Sequence, residues 1–302
     1  MCSYKASVII CTAGRKTLRD CLESLLTQTY RDFEVIVIGI NQRSKNLVSK
    51  FGFKFILSPK ANSSFQRNLG IKKAEGELVA FTDDDAVADR EWLKILTRHY
   101  NGEEIVCVGG KIIPKFSTEI PTFLKQLPEG MFKGFIGETL LNFEEATVID
   151  KPLLWGCNLS FRKSIFDDVG LFDETLGRTP NKLISEDETD LQRRILKRGF
   201  KLVYEPKAVV THLIDEERLT KKWFLERSFW QGYSEILRIR NQENFEKLWK
   251  EKSFQTEFFK YISFIKSMEI LFEMIGTDNL KKKLDVARKL GRVAAFKSLL
   301  ER

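Results

Sequence analysis

What this chain lacks narrows its chemistry before any motif is read. No apolar run approaches the ~20 residues that span a bilayer, and Met1–Ile10 has no basic-then-apolar leader layout. The expectation is a soluble, non-secreted protein. The five cysteines, at 2, 11, 21, 107 and 157, form no CxxC pair, and their odd number argues against a disulfide framework. A reducing, cytoplasmic compartment fits that pattern. No GxGxxG follows the first apolar run and no GxxxxGK[ST] occurs, so dinucleotide and P-loop readings lack their glycines. A GxSxG nucleophile elbow is absent as well. Without zinc-finger spacing or an RNA-recognition signature, nucleic acid is unsupported as a partner.

What remains is an ordinary globular composition. The 302 residues are 43% hydrophobic and 30% charged, enough to bury a sizeable core. The net charge of +8 is uneven, because residues 216–302 carry 19 Lys and Arg against 13 Asp and Glu. That excess is either a solvated helical surface or a contact for an anionic partner such as a lipid head group or a phosphorylated acceptor.

Short apolar runs at Ser7–Cys11, Phe33–Ile38, Phe53–Leu57 and Leu78–Thr82 alternate with helical spacings at Thr17–Thr27, Ser44–Lys50, Ser63–Ala74 and Trp92–Tyr100. Continuous apolar strands between helices predict an α/β fold, a mostly parallel sheet with helices on both faces. Ser63 and Ser64 are expected N-caps. Further along, Ile105–Ile113 and Trp155–Phe161 read as strands. Lys163–Val169 and Asp187–Arg198 read as helices, the second closed by Gly199. Lys201–Tyr204 and Ala208–Thr211 read as two more short strands. Residues 114–152 read as an excursion over the active face. From Thr220 the pattern is helical, with one stretch marked by Phe258, Ile262, Ile265, Glu269 and Phe272 and another by Leu280, Leu284, Ala287, Leu290 and Ala294.

Ligands of open parallel sheets bind beyond the carboxyl ends of the strands, where Thr12–Arg15 and Asp83–Asp85 fall. Three adjacent carboxylates repel one another unless a cation neutralises them, and hard oxygen ligands suit Mg²⁺ or Mn²⁺ with substrate phosphates. The bland alternative is a solvated acidic turn. Ser185-Glu186-Asp187-Glu188 opens a helix, where the dipole favours negative charge; a carboxylate there could also serve as a general base. His212 follows an apolar run and is either a structural residue or a nitrogen ligand beside the acidic site. Arg67, in Gln66-Arg67-Asn68-Leu69-Gly70, is either exposed or a phosphate binder.

Four stretches in this order resemble glycosyltransferase family 2, whose members have a GT-A fold. They are SVIICTAGRKTLRDCLESLLTQTYRDFEVIVI, RNLGIKKAEGELVAFTDDDAVADREWL, WGCNLSFRKSIFDDVGLFDETLG and SEDETDLQRRILKRGFKLVYEPKAVVTH, spanning roughly residues 5–232. The resemblance implies a GT-A catalytic domain over 1–215, with a nucleotide-binding half 1–113 and an acceptor-side half 114–215, and a helical extension over 216–302. It implies an inverting transferase that moves one sugar from a nucleotide-sugar donor to a carbohydrate, lipid-linked or protein acceptor, with Mn²⁺ or Mg²⁺ as cofactor. Thr12, Arg15, Arg67, Asn68, Asp83, Asp84 and Asp85 would border the donor. Asp85, Asp83 and His212 would hold the metal. Trp155, Gly156, Asn158, Arg218 and Trp230 would line the sugar and acceptor pocket.

The resemblance places the base at Asp187 or Glu188 and favours Asp187, the second residue of the literal Glu-Asp pair. The aspartate that reads the donor base in many members is missing from Val37-Ile38-Gly39-Ile40-Asn41. Uridine is the family default, with guanosine and thymidine open. The QxxRW motif of processive synthases is absent too, which argues for transfer of single sugars. Lys281-Lys282-Lys283 hints at contact with the inner face of a membrane. Two other classes stay in view: a nucleotidyltransferase, which would want a glycine-rich first loop, and a binding module that has lost its chemistry.

Overall fold

The computed structural model describes residues 5–240 and 279–300. The helical pattern marked by Phe258 to Phe272 lies outside them. The first half alternates strand and helix: β1 (Ala6–Thr12), α1 (Leu18–Leu26), β2 (Phe33–Gly39), α2 (Gln42–Ser49), β3 (Lys54–Leu57), α3 (Ser63–Lys73) and β4 (Leu78–Asp83). There follow β5 (Ala86–Ala88), α4 (Trp92–Thr97) and β6 (Ile105–Phe116). The second half adds α5 (Thr122–Lys125), α6 (Glu129–Ile136), β7 (Thr147–Ile149), β8 (Leu159–Arg162), α7 (Ile165–Val169), α8 (Asp187–Lys197) and β9 (Lys201–Ile214). Two long helices close it, α9 (Lys221–Arg240) and α10 (Leu280–Leu300).

Nine strands form one sheet in the order β3-β2-β1-β4-β8-β6-β9-β5, with β7 also on β9. Strands β1, β2, β3, β4, β6 and β9 run one way, and β5, β7 and β8 run against them. The sheet is therefore mostly parallel, as the continuous apolar runs imply. Successive residues of β1 feed opposite faces: Val8 and Ile10 pack with Leu22 and Trp92, while Ile9 packs with Ile71, Phe81 and Leu191. Burial on both faces is why these strands read as unbroken apolar runs.

Several elements differ from the sequence expectation for local reasons. The cap of α3 is Asn62, whose side chain accepts from the Phe65 amide, and not Ser63 or Ser64. β9 is one strand, not two. Its register on β6 slips between Glu205 and Val209, around Pro206, which has no amide hydrogen to give a ladder. The bulge is pinned by the Glu205 carboxylate, which accepts from the Lys207 amide, Arg98 and His99. β5 and β7 are three-residue strands, too short to show a period. The excursion over 114–152 folds as α5, α6 and β7, and its Leu124 and Ile136 share an apolar cluster with Phe224 of α9 and Leu284 of α10.

Helices α9 and α10 cross closely. A Cβ on Gly232 would strike the Arg288 carbonyl oxygen, and one on Gly291 would strike that of Phe229. The Ser228 hydroxyl donates to the Leu284 carbonyl at 2.7 Å across the same contact. Gly232→Val should lower stability by about 3 kcal/mol through this overpacking, read by thermal or urea unfolding. An unchanged midpoint would mean that the two helices are not held at this spacing.

Candidate active site

The carboxyl ends of β1 and β4 are adjacent, with Cys11 opposite Asp83 in the ladder. Beyond them lies a cavity of about 330 Å³. The chain turns sharply after β4, and β5 then pairs antiparallel with β9 so that Ala86 faces His212. That hairpin-like return carries Asp85 to His212. The sequence-derived residues Thr12, Arg15, Arg67, Asp83, Asp84, Asp85, Trp155, Gly156, Asp187, Glu188, His212 and Arg218 all line this one cavity.

The three aspartates have three environments. Asp83 is the open one, its side chain 40% exposed. Asp84 is buried and accepts from the Thr12 hydroxyl at 2.6 Å. Burial, aided by the Asp85 charge, pushes its carboxyl up to about 7. Asp85 is buried between cations: its Oδ2 accepts from Arg15 at 2.8 Å and from Arg218 at 2.7 Å. Burial works against its ionisation, but Arg218, His212 and Arg15 outweigh that and hold it far below the usual carboxylate range. Two arginines thus supply much of the neutralisation the acidic run requires.

His212 Nε2 lies 3.0 Å from Arg218 Nη1 and 3.4 Å from Asp85 Oδ1. The two neighbours compete for Nε2: as an acceptor it takes the Arg218 N–H, and as a donor it faces Asp85 Oδ1. The other ring nitrogen, Nδ1, is buried without a partner among the described residues. Once Arg218 leaves them, Asp85 and His212 could hold a divalent cation together with substrate phosphates. Among the described residues no group of three or more His, Cys, Asp or Glu side chains could hold a metal unaided, so those substrate oxygens are required. The Cys11 thiol on the same wall is pushed up to about 12 by burial, which rules it out as a thiolate nucleophile near neutral pH.

The opposite wall is the start of α8. Arg67, rising from α3, binds Asp187 Oδ2 at 2.5 Å and Glu188 Oε1 at 3.1 Å, and reaches Asp83 Oδ1 at 3.8 Å. Ser64, one turn earlier, donates to Asp187 Oδ2 at 2.9 Å. Both line the cavity, but Asp187 is 4% exposed and Glu188 20% at the side chain, so Glu188 is the more open of the two. Burial, with the Glu188 charge beside it, raises the Asp187 carboxyl well above its ordinary range. Glu188 is buried as well, yet Arg67 and the Asp187 hydrogen bond bring it down to about 2.

Glu186, just before, has φ 79°, the only positive φ at a non-glycine position among the described residues. Such a backbone costs about 1–3 kcal/mol and is kept where the surroundings over-determine it. Here Gln231 and Arg238 of α9 bind its carboxylate, at 2.5 Å and 2.9 Å.

Three residues picked from the sequence lie away from the cavity. Asn68 is spent on a two-way bond with the Phe172 backbone. Asn158, fully buried, donates to the Lys111 and Ala208 carbonyls and accepts from the Trp92 indole, locking the β9 bulge. Trp230 packs on Phe229 and Tyr233. Conversely Ser64, Arg178, Arg227 and Gln231 border the cavity or its carboxylates and are not among the sequence-derived site residues, while Glu186 entered only as part of the acidic helix start. Only the Ser64–Arg67 spacing on α3 carried a signal for any of them.

Comparison with known proteins gives the family and the fold. Residues 7–170 match the model of Glycosyl transferase family 2. A glucosyl-dolichyl phosphate glucuronosyltransferase of Haloferax volcanii is 31% identical over 242 residues, 76% of each chain. A pre-mycofactocin glycosyltransferase of Mycobacterium tuberculosis is 27% identical over 59% of this chain and 35% of its own. Among solved structures, mannosyltransferase PcManGT of Pyrobaculum calidifontis, with GDP-Man and Mn²⁺, aligns with TM-score 0.60 and 13% identity over 99% of this chain and 88% of that one. GalNAc-T7 with UDP, GalNAc and Mn²⁺ aligns with TM-score 0.53 and 15% identity over 92% and 58%. With the family model over more than half its length and the expected fold around the expected carboxylates, the chain belongs to glycosyl transferase family 2 and is a glycosyltransferase of GT-A fold.

Proposed function

We propose that the chain transfers one sugar from a nucleoside diphosphate sugar to a hydroxyl of a glycan or lipid-linked acceptor, with inversion at the anomeric carbon. The observation that carries this is Arg67, which joins Asp83 on the donor side to Asp187 and Glu188 on the other. A donor whose diphosphate lies at the Asp83–Asp85 turn places its anomeric carbon toward Glu188.

Glu188 is proposed as the base, because its side chain is the more open to the cavity, 20% against 4%, whereas Asp187 is closed in by Arg67 and Ser64. The acceptor oxygen forms its bond to the anomeric carbon as the bond to the diphosphate oxygen breaks, and the hydroxyl proton passes to Glu188. Asp187 and Ser64 fix Arg67, which fixes Glu188. Asp85 and His212 would hold Mn²⁺ or Mg²⁺ with Asp83 beside them; when bound, the cation supplies charge neutralisation for the leaving diphosphate. Arg15 and Arg218 are proposed to move from Asp85 to phosphate oxygens as donor binds. Uridine is proposed as the base, although the solved neighbours hold GDP-Man in one case and UDP in the other. Asn41, in the segment where many members place an aspartate that reads the base, is occupied in capping α2 through the Ser44 amide.

Gly156 tests this reading. A Cβ there would collide with Glu188 Oε1 and Arg67 Nη2, the far ends of two flexible side chains. Gly156→Ala should therefore cost about 1 kcal/mol of stability or less while displacing the base and slowing transfer roughly 10- to 100-fold. Retention of the full rate in that variant would remove Glu188 from the reaction.

A further inference from the structure

Arg227 of α9 is 5% exposed, and its Nε and Nη1 are buried without a hydrogen-bond partner among the described residues. A buried guanidinium lacking an anion is costly, and natural proteins keep one where a ligand brings the anion. Its charged surroundings are mixed: Arg178 and Arg288 oppose it, and Glu186 and Glu188 favour it. Burial, then Arg178, draws its ionisation down to about 9. The two acids do not relieve it by contact. Glu186 is taken by Gln231 and Arg238, and Glu188 by Arg67.

Arg227 sits where two cavities meet. One is the donor cavity, in which Arg15 and Arg218 already stand at the Asp85 end to receive a diphosphate. The other, about 1260 Å³ across its described lining, has mixed walls, in which Phe135, Leu153, Leu196 and Phe296 stand beside charged residues such as Arg193, Arg288 and Arg292. A group reaching Arg227 from the second cavity arrives on the Glu188 side, where an acceptor must stand. We propose that Arg227 is the anion-binding residue of the acceptor subsite and takes a phosphate that joins the acceptor sugar to an apolar chain. This rests on the transferase reading of the site. Phosphate suits the forked donors of Arg better than a neutral hydroxyl does, and the apolar side of the cavity next to it suits the chain.

The test uses the full chain, Arg227→Met, and Arg227→Gln in case the first does not fold. Octyl phosphate should raise the thermal midpoint of wild type but of neither variant, and octyl glucoside should separate none of them. Without additive, Arg227→Met should melt about 2–4 °C above wild type, because a buried unpaired charge is gone and its aliphatic bulk is kept. In transfer, KM for a glucosyl phosphate ester of a short prenyl chain should rise roughly 10- to 100-fold in the variants, with KM for octyl glucoside unchanged.

Equal octyl phosphate stabilisation of wild type and variants would overturn the proposal. So would an Arg227 dependence that follows a carboxylate on the donor, seen by comparing UDP-glucuronate with UDP-glucose. Absence of any nucleotide release by wild type would instead sink the transferase reading, and the octyl phosphate comparison would still decide the anion site.

Discussion

Glu188→Gln should lose about 10³-fold in transfer rate while binding donor as wild type does. General base catalysis is worth roughly 10²–10⁴-fold, and the substitution removes the proton acceptor while keeping the side chain's shape. The amide can still accept from Arg67 Nη2, now 3.1 Å from Oε1, so the donor side of the cavity should be undisturbed. Asp187→Asn is the informative companion. Asp187 is bound by Arg67 and Ser64 and is nearly closed off by them, so its loss should act through misplacement of Arg67, roughly 10-fold to 100-fold. Steady-state rates on both variants, with donor affinity measured separately, separate the two roles. A dead Asp187→Asn beside an active Glu188→Gln would restore the literal Glu-Asp register that the sequence favours.

Asp85→Asn should abolish metal-dependent nucleotide binding and also weaken the fold. The carboxylate accepts from both Arg15 and Arg218 within 2.8 Å, and losing one partner of a buried ion pair costs about 3–5 kcal/mol. Two arginines would be left facing each other across an amide. The expected result is a lower midpoint without ligand and no added stabilisation from Mn²⁺ with a nucleoside diphosphate. In wild type the same pair should add about 2.7 kcal/mol at a hundredfold excess over the dissociation constant. A metal-dependent shift that survives in Asp85→Asn would move the cation elsewhere, with Asp83 as the remaining carboxylate of the turn that opens to the cavity.

How far the sequence could be read followed from the physics of each element. β1, β2 and β4 were legible because both faces of each are buried, which forces an unbroken apolar run. β9 looked like two strands because Pro206 and a bulge interrupt its ladder, and the Glu205 and Asn158 contacts that carry the strand through are long-range. The carboxylates and His212 were legible because unlike chemistry gathered at strand ends has few structural uses. Asn68 and Asn158 show the limit of that argument. A polar residue at such a place either faces a ligand or ties down a backbone, and spacing does not say which. Arg227 shows the converse: on an ordinary amphipathic helix nothing in the pattern distinguishes a solvated arginine from one buried without a partner.

The most direct test of the central claim is nucleoside diphosphate release from a panel of UDP-, GDP- and dTDP-sugars with Mn²⁺, on wild type and Glu188→Gln. The account predicts release from one nucleotide class by wild type, loss of it on chelation, and none from Glu188→Gln although that variant still binds the donor. Release that is equal in the two proteins, or binding of no donor by either, would contradict it.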